Sequence, residues 1–139
     1  MKSKSPKTRF KSVLLIDDSE IDNFINEKII RASYFAENVY IHTSSKSALE
    51  FLKNLQSMQI PPTELIPSYI FLDINMPILD GFHFLDAFEK FLPEFNEKIK
   101  VIMLTTSLNP GDISKAKQYK SLVNFLNKPL TEKNLNEIL

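Results

Sequence analysis

Along the chain, short continuous apolar runs alternate with stretches in which apolar residues recur every three to four positions. Val13-Leu14-Leu15-Ile16 is too short for a helix and is closed by Asp17-Asp18-Ser19, the pattern of a strand buried on both faces, which predicts a first strand over Ser12 to Ile16. From Ser19 the period changes. Ile21, Phe24, Ile25, Ile29 and Ala32 follow helical spacing and form the expected core stripe, with Asp18 or Ser19 as N-cap. Asn38 to Thr43 then alternates, with Val39 and Ile41 on one face. Ser44 or Ser45 caps a helix whose stripe is Ala48, Leu49, Phe51, Leu52 and Leu55. From Gln56 to Ser68 the chain holds Pro61, Pro62 and Pro67, which exclude a helix or a central strand and predict a surface loop.

Tyr69-Ile70-Phe71-Leu72 is a second continuous apolar run and ends at Asp73. Pro77 and Asp80-Gly81 break the chain before a helical stripe of Phe82, Leu85, Ala87, Phe88 and Leu92. Val101 to Leu104 reads as another buried strand, closed by Thr105-Thr106, and Asn109-Pro110-Gly111-Asp112 opens a weaker helix in which Ile113, Ala116, Lys117 and Tyr119 share a face. Val123 to Leu126 is the last strand, Lys128-Pro129 follows it, and Thr131 caps a short final helix with Leu135, Ile138 and Leu139. Five strands alternating with five helices predict an α/β fold, a parallel sheet covered on both faces by right-handed crossovers. Ligands of such sheets bind at the carboxyl ends of the strands, near the reversal of strand order.

Composition narrows the class. The 139 residues are 43% hydrophobic and 24% charged, the values of one ordinary globular domain with no internal repeat. Cysteine is absent, which excludes disulfides, thiolate metal sites and cysteine nucleophiles, and two isolated histidines do not make a zinc site. No apolar run is long enough to span a bilayer and none near the N-terminus resembles a signal peptide, so a cytoplasmic protein without a membrane partner is expected. The formal charge is zero but uneven: Lys2, Lys4, Lys7, Arg9 and Lys11 stand without an acid, leaving 12 basic against 17 acidic residues beyond residue 16, a net of −5. Residues 1–11 read as a basic, flexible leader before a domain over 12–139, and an acidic body argues against direct nucleic-acid binding.

Four of the predicted strands deliver polar groups to one rim. The first ends in Asp17-Asp18, the third in Asp73, the fourth in Thr105, and the fifth is followed by Lys128. Three carboxylates on one edge repel one another unless a cation lies among them, and all-oxygen ligation points to Mg²⁺.

These residues, in this order, with Asn75-Met76-Pro77-Ile78-Leu79-Asp80-Gly81 after Asp73 and Lys128-Pro129 after the last strand, resemble the response-regulator receiver domain of two-component signalling. The resemblance spans roughly residues 11–139 and implies a flavodoxin-like, doubly wound sheet in the order 2-1-3-4-5. It implies that Asp73 is the phosphoacceptor, that Asp18 ligates Mg²⁺ directly with Asp17 beside it, and that the Asn75 backbone carbonyl completes the protein ligands. Thr105 then bonds the phosphoryl group, Lys128 pairs with the acceptor, the Lys128-Pro129 bond is cis and Phe125 is the aromatic switch position. With no output domain in view, the chain looks like a stand-alone receiver of the chemotaxis type. The implied partners are a sensor histidine kinase or histidine phosphotransfer protein as donor and an unidentified downstream protein as target. A receiver of this kind is a phospho-accepting switch rather than an enzyme.

Two other readings are weaker. A haloacid-dehalogenase-type phosphatase also uses an aspartate and Mg²⁺, but needs a second Asp two positions on, where this chain has Asn75. A receiver-like scaffold without phosphorylation is the other, and the intact residue set argues against it.

Overall fold

The computed structural model describes residues 7–106 and 109–138. Among these residues the elements follow one another as β1 (Phe10–Ile16), α1 (Glu20–Ala32), β2 (Ala36–His42), α2 (Ser45–Ser57), β3 (Tyr69–Asp73), α3 (Gly81–Phe88), α4 (Pro93–Asn96), β4 (Lys100–Thr105), α5 (Pro110–Ala116), β5 (Leu122–Asn127) and α6 (Glu132–Glu137). All strand pairs are parallel and the order is β2-β1-β3-β4-β5, as the alternation and the resemblance led one to expect.

Strand register sets up the site. Ile16 pairs with Leu72, Asp73 with Leu104, and Thr105 with Asn127. Asp17 therefore leaves β1 level with the last residue of β3, Thr105 lies one step beyond, and Lys128 follows the partner of Thr105. A parallel sheet with these endings has no freedom to scatter those residues.

Side chains alternate between two cores, as the pleat requires. Leu14, Ile16, Ile70, Leu72, Val101 and Met103 pack against Leu52 of α2 and Phe84 and Phe88 of α3. Val13, Leu15, Phe71, Ile102 and Leu104 pack on the other face against Ile30 of α1, Phe35, and Leu130 and Leu135 at α6. Each such aliphatic or aromatic side chain contributes roughly 1.5–3 kcal/mol on burial. The helix caps lie where the polar residues before each period change placed them. Ser19 rather than Asp18 caps α1, accepting from the Asp22 N–H at 3.2 Å, and Ser44 rather than Ser45 caps α2, accepting from the Ser47 N–H at 3.1 Å. Thr131 caps α6, accepting from the Asn134 N–H at 3.0 Å.

Three features depart from the expectation. β1 starts at Phe10 and its partner β2 at Ala36, each two residues early, because Phe10 pairs with Ala36, the Phe10 N–H donates to the Phe35 carbonyl at 2.9 Å and its ring packs on Phe35 and Tyr69. Between α3 and β4 an additional four-residue helix, α4, raises five helices to six: Pro93 sits at its first turn, where a missing N–H is harmless, and Leu92 turns outward while Phe91 and Phe95 are buried. Leu92 is thus not part of the core stripe.

The third departure bears on function. Of the stripe expected to bury α1 only Ile29 packs on the core: Ile21, Phe24 and Ile25 are 72%, 60% and 39% exposed and Ala32 is exposed, whereas Asn23, Asn26 and Ile30 are buried. Asn23 Nδ2 donates to the Asp17 carbonyl at 2.8 Å, and Asn26 Oδ1 accepts from the Leu130 N–H at 3.1 Å. The front of α1 faces loop backbone at the strand ends, so its inward side is polar and its apolar side is left to solvent. Within the expected proline-rich loop lies a single 3₁₀ turn, Thr63–Leu65. No helix among the described residues is long and apolar enough to cross a membrane. Leu139, expected in the last helical stripe, and residues 1–6 of the basic leader lie outside the described residues.

Candidate functional site

The carboxylates of Asp17, Asp18 and Asp73 each place an oxygen so that all three lie within 4.8 Å of one another. Asp17 and Asp73 are buried and Asp18 is exposed, so the cluster opens to solvent on one side. The β1–α1 turn holds Asp17 from two directions. Its Oδ1 accepts from the Ser19 N–H at 2.9 Å and its carbonyl from Asn23.

Lys128 arrives from the β5–α6 connection. Its N–H donates to the Thr105 carbonyl at 2.8 Å, and the Lys128–Pro129 peptide is cis, as expected. The ammonium is only 8% exposed and lies 2.5 Å from Asp17 Oδ2, 3.0 Å from Asp22 Oδ2 and 3.3 Å from Asp73 Oδ1. Burial works against the charged Lys128, but its carboxylate partners outweigh burial and raise its pKa. It is a permanent cation at any ordinary pH.

The Asp73 carboxyl is also pushed up, to about 6. Burial is the main cause and the charge of Asp17 adds to it, against the opposing pull of Lys128 and of the Asn75 backbone N–H. A carboxylate that is more basic than usual, yet mostly ionised at neutral pH, is a better nucleophile than an exposed aspartate. The same repulsion from Asp17 is what a divalent cation would relieve. Three convergent carboxylate oxygens are hard donors of the type Mg²⁺ takes, so this donor set fits that ion.

The neighbourhood of Asp73 is tight. A Cβ on Gly81 would lie 2.7 Å from the Asp73 carbonyl oxygen and 3.0 Å from Ile74 Cα, so the start of α3 crosses the end of β3 only because residue 81 has no side chain. The Gly81 N–H donates to the Ile74 carbonyl at 2.8 Å, and Asp80 caps α3 by accepting from the His83 N–H at 3.0 Å. Gly81 is thus more than a chain break: it is the close-approach position within the Asn75–Gly81 stretch. In the same connection Ile78 is 96% exposed with a φ of 70°, a backbone region that β-branched residues rarely adopt.

The expected site residues are all brought to this rim except Phe125, which stands back from it. Thr105 is buried at the end of β4, and Phe125, paired with Met103, is half-buried against the α2–α3 core. Because Thr105 pairs with Asn127, Phe125 lies two residues back on the same face of the sheet. Asn75 is exposed, and the structure gives its N–H to the Asp73 carboxylate. Three residues were not foreseen: Asp22, which bonds Lys128, and Asn23 and Asn26, which lock the adjoining backbone. Their only sequence signal is that polar side chains occupy positions 22, 23 and 26, between the apolar ones.

Residues 13–139 match the family model described as response regulator receiver domain. The fold superposes on a two-component response regulator from Cytophaga hutchinsonii with a TM-score of 0.83 at 35% identity, covering 95% of each chain. A response regulator receiver protein from Dyadobacter fermentans gives a TM-score of 0.76 at 27% identity, over 92% of this chain and 94% of that one. A protein-glutamate methylesterase/protein-glutamine glutaminase from Burkholderia thailandensis is 30% identical over 118 residues, 84% of this chain but only 29% of its own length. Asp-rich strand ends, parallel sheet order and these likenesses converge: the chain belongs to the response regulator receiver domain family of two-component signalling, whose members are phospho-accepting switches.

Proposed function

We propose that Asp73 accepts a phosphoryl group from a phosphohistidine on a sensor histidine kinase or histidine phosphotransfer protein, and that the chain acts as a regulatory switch rather than as a turnover enzyme. The observation that carries this reading is the placement of Asp73 between the acidic cluster and the Lys128 ammonium. An Asp73 oxygen attacks phosphorus in line, the P–N bond breaks with its electron pair leaving on the imidazole, and an acyl phosphate forms. Such a transfer has a loose transition state, so the protein's work is positioning and charge neutralisation.

Lys128 neutralises charge on the transferred group, and the Thr105 hydroxyl, one residue beyond the β4 partner of Asp73, supplies a further donor. Mg²⁺, held by Asp17, Asp18 and Asp73 with the Asn75 carbonyl, supplies a second positive centre for the equatorial oxygens when bound. Asp73 is assigned as the acceptor because it ends the central strand just before Asn75-Met76-Pro77, the stretch that carries the family resemblance. The donor protein docks over the solvent-facing apolar side of α1, where Ile25 lines a cleft of about 200 Å³ with Lys128 and Pro129. An exposed Ile21-Phe24-Ile25 surface beside the site supports that placement.

Incubation with a small-molecule phosphodonor and Mg²⁺, followed by intact-mass measurement, tests the assignment. One added phosphoryl group in the wild type and none in Asp73→Asn is expected. Absence of labelling in the wild type would favour a scaffold that keeps only the fold.

A further inference from the structure

Lys128 has three N–H donors, and the structure gives its ammonium three carboxylates: Asp17, Asp22 and Asp73. Under the phosphoacceptor reading, on which this inference rests, two of these are not available throughout the cycle. Asp73 becomes an acyl phosphate. Asp17 belongs to the group of oxygens that converge on the candidate cation position. Asp22 is in neither class. It stands on the first turn of α1, its N–H donating to Ser19 Oγ, and its side chain is about one-third exposed.

We propose that Asp22 is a positioning residue for phosphoryl transfer: it anchors the Lys128 ammonium while the other two acceptors change partners. A lysine reaches its charge through four rotatable bonds, so an unanchored ammonium must be ordered anew each time Asp17 and Asp73 are drawn away. A fixed carboxylate removes that ordering from the reaction step, which is preorganisation. The anchor does not hold Lys128 out of reach, because Nζ is 3.3 Å from Asp73 Oδ1 while it is bonded to Asp22 at 3.0 Å. Asp22 and Lys128 line one cleft together with Thr106, so the anchoring pair borders an opening beside the site. The helix supports the anchor: Asn23 and Asn26, on the same side of α1, fix the Asp17 carbonyl and the Leu130 N–H, so α1 cannot turn Asp22 away without breaking both.

The test compares wild type, Asp22→Asn and Asp22→Glu by two measurements. The first is the ¹⁵Nζ–¹Hζ signal of Lys128 in the protein alone, which reports the ammonium's partners. The second is the affinity for beryllofluoride, a phosphoryl mimic, in the presence of Mg²⁺. Asp22→Asn keeps shape and an acceptor oxygen but loses charge. It should shift or broaden the Nζ signal and weaken mimic binding about tenfold, the order expected for one charge-assisted hydrogen bond. Asp22→Glu keeps the carboxylate and should recover most of both. A merely structural role would instead lower the melting temperature of Asp22→Asn and leave mimic affinity unchanged, and that result overturns the proposal. An unmoved Nζ signal overturns it equally. If the wild type binds no mimic at all, the phosphoacceptor reading fails first, an outcome distinct from any difference among the variants.

Discussion

Lys128 Nζ lies 3.3 Å from Asp73 Oδ1, and both groups are almost fully withdrawn from water. The pairing joins the last strand's exit to the end of the central strand, across β4. Despite it, Asp73 is held above the usual carboxylate range by burial and by Asp17. The site is therefore short of positive charge.

The first expected outcome concerns pH. The Asp73 pKa is raised from 3.8 to about 6, so the folded protein binds this proton more tightly than the unfolded chain does. The favourable contribution is fully present below about pH 4 and is lost as pH rises through about 6, at an order of 2–3 kcal/mol. Asp73→Asn removes the ionisation. It should melt above the wild type at pH 7.5, with the gap closing towards pH 4, in paired thermal melts without divalent ions. A gap that is independent of pH contradicts the strained carboxylate.

The second concerns the cation. Mg²⁺ at millimolar concentration should raise the melting temperature of the wild type by relieving repulsion among Asp17, Asp18 and Asp73. The increase should vanish in Asp18→Ala, whose side chain is exposed and whose loss leaves the core intact. Equal shifts in both proteins would place the ion elsewhere.

Gly81→Ala tests the crossing of α3 over β3. A methyl group 2.7 Å from the Asp73 carbonyl oxygen cannot be accommodated without backbone movement, and overpacking of this type costs about 1–3 kcal/mol. Chemical denaturation should show that loss, and labelling of Asp73 should slow with it. A fully stable Gly81→Ala protein would contradict the close approach.

α1 supplies a test that separates donor docking from chemistry. Phe24→Ser removes apolar surface that is already solvent-exposed, so stability should change by no more than about 0.5 kcal/mol. Transfer from a phosphorylated donor protein should fall, while transfer from a small-molecule donor stays as in the wild type. Parallel loss with both donors would move the effect from docking to the site itself.

These outcomes differ in how far the sequence alone anticipates them. Parallel strands of continuous apolar residues are legible because the run, its length and its polar stop are local, and once Ile16 pairs with Leu72 and Asp73 with Leu104, the rim follows. What α1 turns inward is not local. Its rotation is decided by the hydrogen bond that Asn23 donates to the strand end and the one that Asn26 accepts from the Leu130 N–H, a partner 104 residues away, and by Ile30 entering the far core. Spacing counted from Ile21 sees only the apolar positions and selects the wrong face. Asp22 is hidden for the same reason, since an acidic residue in a helix's first turn ordinarily serves the helix dipole. The extra helix α4 is hidden because Pro93 starts a new helix where the Phe88–Leu92 spacing reads as one continuous stripe.

The central claim is that Asp73 is the residue that takes the phosphoryl group. Intact-mass spectrometry of wild type and Asp73→Asn, after exposure to a small-molecule phosphodonor with Mg²⁺, tests it most directly. The account predicts one phosphoryl group on the wild type and none on the variant, and an identical mass increase in both would contradict it.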